Sequence, residues 1–446
     1  MRNSQMTRAS RAVRSTRRGR HILAARAAVA GIALTLVAAA CHDITTLEQS
    51  NPGQLGPGVF TPENADLIVN SSKGDFQCAF NDYITASGLF VDELRNAISQ
   101  TANFDLDRRT VTADHASGTN DCTAQQIPGV YTPLSVARAS NDVAVSHLEG
   151  WTDAQVPDRD HLIAVASAYG GYSLVLMGEG MCSAALDLGP EMTPAQLFAV
   201  AKERFDSAVV AATRAGDDET LHLALLGRAR TELDLGNSAD AAADAALIPA
   251  GFEIDIDHDA TNVRRQNLVF IHIQQSQFSS VDTSIIKRYQ ASFASPGDTA
   301  DARIAVDSLG ALGSDGFTQI WLPAKDASAT APQALAKYSE AQLIIAENDA
   351  NTGAYPAAKT IINALRTAAH QPAFNPGTLT QANVMAEIVE QRKRELYLEG
   401  HRLGDIRRLN LPLAPATGAP YVSGGTYGDE SCFPLPNVER INNPNL

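Results

Sequence analysis

Aromatic side chains are scarce in this 446-residue chain. They make up 6% of it, with only two tryptophans, Trp151 and Trp321, so any stacking of a ligand falls on a few rings. Cysteine is also sparse, at five, and no C-x-x-C or Cys/His spacing is present, which argues against a zinc site and redox catalysis. H-E-x-x-H, G-x-S-x-G, a P-loop and a dinucleotide G-x-G-x-x-G in the right context are all missing. Ten histidines are scattered without ligand spacing. Asp255, Asp257 and Asp259 imitate the start of an EF-hand loop, but Ala260 and Gln266 stand where the cage needs Gly and Glu. The expectation is therefore no enzyme, no metal and no cofactor. Only a carboxylate pair brought together by the fold, as in a glycosidase, escapes such a scan.

The first 40 residues lack any acidic group but hold eight arginines, and residues 27–40 form an uncharged run of 14 small or apolar residues. That run is shorter than the roughly 20 residues of a membrane span. Basic region, apolar core and small residues describe a secretory signal over 1–40. Ala38, Ala39, Ala40 and Cys41 read as a lipobox, with Ala38 where Leu is usual, which makes Cys41 the expected lipid attachment point. Residues 41–59 are polar, with Asn51-Pro52-Gly53 and Gly56-Pro57-Gly58, and read as a tether without helix. Without the signal, 27 basic residues face 50 acidic ones, a net charge of −23. Nucleic acid is thereby disfavoured as a partner, and membrane contact is expected through the lipid alone.

Four cysteines remain, Cys78, Cys122, Cys182 and Cys432, and an even number in an exported chain predicts two disulfides. Of the three connectivities we favour Cys78–Cys122, tying an early helix to the 120–122 loop. Cys182–Cys432 would then staple the middle of the chain to its tail.

Strand signals are few and helical periodicity dominates, so the fold class is all-α in the main. Helices are expected from about 62 to 72, 76 to 100, 131 to 148 and 161 to 177. The last is rich in small residues that permit close packing. Helical hairpins follow at 194–215, 219–235 and 239–247, and again at 338–348 and 355–369. In the later pair Gly353, Tyr355, Ala358, Ile362 and Leu365 fall where a tetratricopeptide repeat places its turn and packing residues. The stretches 104–116, 251–334 and 410–433 read as irregular, apart from a short strand at 268–274. Trp321 lies in the second, which makes it a ligand-contact candidate. Trp151 reads as a packing residue.

The most specific stretch is 387–409, read as one helix. Val389, Leu396 and Leu403 recur every seven residues beside Arg392, Glu395, Glu399 and Arg402. Charges at such spacing can pair along a helix, and beside a buried stripe each needs a partner. With Asp405 they form the expected structural ion-pair motif. This stretch resembles the closing motif of the SusD/RagB family, E-R-x-x-E-L-x-x-E-G-x-R-x-x-D-L-x-R, with Gln391 and Ile406 as the departures. The opening Leu47 to Asn51-Pro52 and the ending from Pro434-Leu435-Pro436 to Asn443-Pro444-Asn445-Leu446 are also similar to that family. The resemblance implies a SusD-like fold with tetratricopeptide-like hairpins and long loop insertions, its parts at 60–250 and 251–446 packed as one body. It implies an outer-membrane, surface-exposed lipoprotein that binds a glycan or other oligomeric nutrient without catalysis. The implied partner is a SusC-type TonB-dependent β-barrel transporter. A tetratricopeptide-type scaffold of the cell envelope, or a secreted hydrolase, are the competing readings.

Overall fold

The computed structural model describes residues 57–123, 126–291 and 299–446. The signal segment 1–40, Cys41 and nearly all of the expected tether lie outside the described residues. Residues Phe60–Leu446 form one compact unit.

Its first helix, α1, runs unbroken over Ala65–Phe90. The sequence reading divided this region into two helices and carried the second to 100. The observed helix instead continues through Gly74, where a side chain would meet open space, and stops where Val91 turns extended. Residues beyond it contribute a strand, and the supposedly irregular segment starting at 104 overlaps a short helix, α2, Thr101–Asp107. Next come α3 (Tyr131–Gly150) and α4 (Arg159–Gly180). By length and composition α4 could cross a membrane, yet it is almost wholly buried here and serves as the core helix. Its glycines set how near neighbours come: a Cβ on Gly178 would lie 2.3 Å from the Phe198 ring.

The hairpins follow with clear stop signals. Thr193 and Gln196 form a capping box for α5 (Pro194–Ala215), which ends at Gly216 in a left-handed conformation, φ 66°. Asp217 caps α6 (Asp218–Asp234), and Gly236, φ 83°, turns the chain into α7 (Ser238–Ala245). After an excursion containing α8 (Thr283–Ala291), α9 (Tyr338–Asn351) packs against α7, then against α10 (Tyr355–Ala368) and α11 (Gln381–Glu395). Short helices α12 (Arg402–Arg408) and α13 (Asn437–Asn442) close the chain.

Four antiparallel strand pairs complete the unit: β1 (Leu94–Asn96) with β5 (Ser279–Val281), β2 (Ala184–Ala185) with β3 (Glu191–Met192), β4 (Glu253–Ile256) with β8 (Gln333–Lys337), and β6 (Val306–Leu312) with β7 (Gln319–Pro323). The 251–334 segment is therefore more regular than its composition indicated. The strand expected at 268–274 is instead a helical turn continued by a π-turn, because buried Asn267 accepts from Phe270 N at 3.0 Å and nucleates helix. Asp255 lies in β4, and Asp259 accepts from Thr261 in a tight turn. The main core joins α1, α4, α5 and α6 to the strands. A second cluster, built on Leu343, Ile362 and Ile388, fills the space between α9, α10 and α11.

Candidate ligand-binding face and its charged support

The charged closing segment is two helices rather than one. α11 ends at Glu395, the chain reverses through Leu398 (φ 52°) and Gly400 (φ 75°), and α12 begins at Arg402. The reversal lets Arg392 Nε donate to both Asp405 oxygens at 2.9 and 2.8 Å across the turn. Most of the other charges named from the sequence also pair away from their own helix. Glu395 accepts from Arg303 at 2.7 Å, and Glu399 from Lys325 and Lys337 at 2.6 and 2.8 Å. Arg402 and Lys393 both grip Asp92, the former at 2.9 Å. Pairs along one exposed helix stabilise by only a few tenths of a kcal/mol, whereas groups this buried need ligation from several sides. Of the apolar stripe, Leu396 and Leu403 are buried and Val389 is half-buried.

Burial alone would raise the Asp92 and Asp405 carboxyls. Arg402 and Lys393 nevertheless hold Asp92 well below the usual carboxylate range, and Arg392 and Arg408 hold Asp405 at about 2. Two neighbours take no ion pair from a lysine or arginine among the described residues, and burial outweighs the nearby cations and pushes Glu93 and Glu340 up to about 7. His401, buried first of all and then facing Arg230 and Arg392, stays neutral, its Nε2 3.2 Å from Arg230 Nη1. This region is buried and most of its charges pair within the fold, so it offers support rather than a binding surface.

A different face gathers the scarce rings. The 415–428 loop folds back on itself: Tyr427 N donates to Ala419 O and Tyr421 N to Gly425 O, both at 3.0 Å. Gly428 N donates to Arg108 O at 2.7 Å, and the approach is so close that a Cβ on Gly428 would lie 2.1 Å from Arg109 O. Tyr421 and Tyr427 meet edge-on at 5.2 Å, Phe104 of α2 lies 5.8 Å from Tyr421, and the Arg109 guanidinium sits 5.0 Å from the Tyr427 ring centre. Tyr427 and Phe104 remain half-exposed. Beneath them Asp107 accepts from Asn96 N and from Tyr421 Oη, each at 2.9 Å, yet burial raises its carboxyl to about 7.

Two further pieces adjoin. The 313–318 turn is fixed to the end of β1, with Asp315 N donating to Ala97 O at 2.9 Å, and carries the exposed Phe317. Arg95 pairs in register with Ser280, whose Oγ accepts from Trp321 N at 2.9 Å. Trp321 therefore lies on β7, half-buried, and not on a loop. Among the described residues Arg95 makes no ion pair, so its guanidinium is available. The sequence reading singled out Trp321 alone. Tyr421, Tyr427, Phe104 and Arg95 come from segments more than 300 residues apart, and no local spacing marks them.

The cysteines are joined as Cys78–Cys122, with 5.8 Å between Cα atoms, and Cys182–Cys432, with 5.0 Å. The second bridge holds the tail just after the ring-bearing loop, beside the pairing of Met181 with Phe433. Trp151 packs half-buried beside His147.

Comparison with known proteins adds the context. Residues 325–437, which contain the charged reversal and the ring-bearing loop, match the SusD family. The chain has the SusD fold. The fold agrees over most of the chain: a SusD superfamily protein from Bacteroides vulgatus superposes with a TM-score of 0.66 at 16% identity, covering 86% of this chain and 97% of that one. A SusD-like carbohydrate-binding protein from Bacteroides fragilis gives 0.65 at 14% identity over 87% and 100% of the two chains. Another from Bacteroides vulgatus gives 0.62 at 14% identity over 86% and 97%. No curated protein matches by sequence.

Proposed function

We propose that this chain is a receptor of the SusD family, anchored by lipid at Cys41 to the outer membrane and exposed at the cell surface. It captures a glycan or related oligomeric nutrient without transforming it and passes it to a SusC-type TonB-dependent transporter. The observation that carries the reading is the assembly of half-exposed Tyr427 and Phe104 around the buried Tyr421, near Arg95, which takes no ion pair among the described residues, in a chain otherwise poor in rings. Aromatic edges and faces bind the apolar sides of sugars, while guanidinium and carboxyl groups meet hydroxyls. The carbohydrate-binding names of two proteins of the same fold support this choice. Trp321, tied through Ser280 to the Arg95 row, is a further contact candidate.

The test is a binding screen of the soluble, unacylated chain against polysaccharides and peptides, with capture of membrane partners from the native envelope. Saturable glycan binding and recovery of a β-barrel transporter are expected. Peptide binding in the helical hairpins with no barrel recovered would instead indicate an envelope scaffold, and turnover of a polysaccharide a hydrolase. Mass spectrometry of the mature N-terminus tests the anchor, with an acylated Cys41 as the expected terminus.

A further inference from the structure

A cavity of about 230 Å³ lies away from the ring-bearing loop, where the end of α4, the start of α5, the end of α6 and α12 converge. It is lined by Gly178, Glu179, Phe198, Asp234, Arg407 and Arg408, with Pro194 at the first turn of α5. Its charges are unequally paired. Glu179 is matched by Arg230, which donates to both its oxygens at 2.7 and 2.6 Å. Arg408 is matched by Glu347 and Asp405. Arg407 has no carboxylate among the described residues: its Nη1 caps the end of α4 through the carbonyls of Gly178, Glu179 and Met181 at 2.9, 2.5 and 3.0 Å, while Nε and Nη2 take no protein partner. Asp234, the remaining acid, forms no ion pair with Arg407 and lies 4.0 Å from Arg408 Nε. Burial first, and then the Glu179 carboxylate, raise its carboxyl, and its buried Oδ2 receives no hydrogen bond from the protein.

An isolated guanidinium in a partly enclosed cavity costs solvation unless an anion completes it. We infer that this cavity is a binding site for a small oxyanion, a carboxylate or phosphate group, held by Nε and Nη2 of Arg407 in the planar two-point geometry that guanidinium gives to such groups. Phe198 forms its apolar wall. The volume suits a small acid or the charged end of a larger molecule, and is less than the 300–1,000 Å³ or so of drug-sized pockets. The site is separate from the glycan face and does not depend on that reading.

The test is calorimetric or NMR titration of the full soluble chain with inorganic phosphate, acetate and glucuronate in turn. At least one should bind saturably, and which one does so separates free phosphate from a carboxylate-bearing ligand. Arg407→Gln should weaken that binding at least tenfold. Because Arg407 also caps α4, a second variant acts from the opposite wall: Pro194→Glu, at a helix start that tolerates an acid, places a competing carboxylate beside Arg407 and should likewise abolish binding with little change in the unfolding midpoint. Asp234→Asn, which fixes that side chain as neutral, should bind within about threefold of the parent. The inference is overturned if none of the three anions binds to the folded parent chain at tens of millimolar, or if Pro194→Glu binds as well as the parent.

Discussion

The closing charged reversal and the ring-bearing loop sit side by side in the sequence, within 391–428, and are built on opposite principles. The first is largely buried, and the charges of its sequence motif are matched: Arg392 by Asp405, Glu395 by Arg303, Glu399 by two lysines, Arg402 by Asp92. The second leaves Tyr427 and Phe104 half-exposed and the nearby Arg95 without an ion pair among the described residues. Groups whose interactions are already satisfied inside the fold have little to offer a ligand. Groups held in place by backbone bonds, with their side chains left open, are prepared to bind one at small ordering cost.

The contrast can be broken most severely at Asp92. Asp92→Asn removes the shared partner of Lys393 and Arg402, leaving two buried cations, and should destabilise the chain by about 3–5 kcal/mol in denaturant unfolding. The next largest effect is expected from replacing both Cys182 and Cys432 by Ser. Opening that link should cost about 2–4 kcal/mol and also loosen the loop that precedes it, so that glycan affinity falls together with stability. Tyr427→Ala sharpens the comparison from the other side. It should weaken glycan binding by about 2 kcal/mol, roughly thirtyfold, while changing unfolding little, as measured by titration and by melting of the same preparation.

Acidity separates the two regions more gently. The Asp107 carboxyl beneath the rings is raised by burial to about 7, whereas an unfolded aspartate titrates near ~3.9. Between those values the folded chain keeps a proton that the unfolded chain has lost. Its contribution is therefore fully present in acid and fades as pH rises through 7. Asp405, held at about 2 by Arg392 and Arg408 against the effect of burial, runs the other way, its contribution lost as pH falls through 2. Unfolding curves at pH 4 to 8 should show a decline that Asp107→Asn flattens.

The two regions also differ in how far they could be read from the residues alone. The charged stretch announces itself because its pattern is local, and the helical hairpins do so through caps and turn glycines such as Thr193 and Gly216. Its partners were not legible: Asp92, Arg303, Lys325 and Lys337 arrive from elsewhere in the chain, and the reversal at Leu398 and Gly400 breaks the helix that the seven-residue spacing predicted. The strands at 306–323 were hidden because their side chains alternate only loosely between buried and exposed. The proposed ligand face was almost invisible because its parts are distant in sequence. Phe104, Arg95 and Tyr427 have ordinary neighbours in sequence and acquire meaning only when the tail folds back onto the start.

Hydrogen exchange of the full soluble chain, with and without a glycan found in the screen, tests the division between support and binding face most directly. The account predicts new protection in 94–107, 313–321 and 415–428 and none in 391–408, which is already largely buried. Protection confined to the hairpins at 194–245 and 338–368, with the ring-bearing loop unchanged, would contradict it.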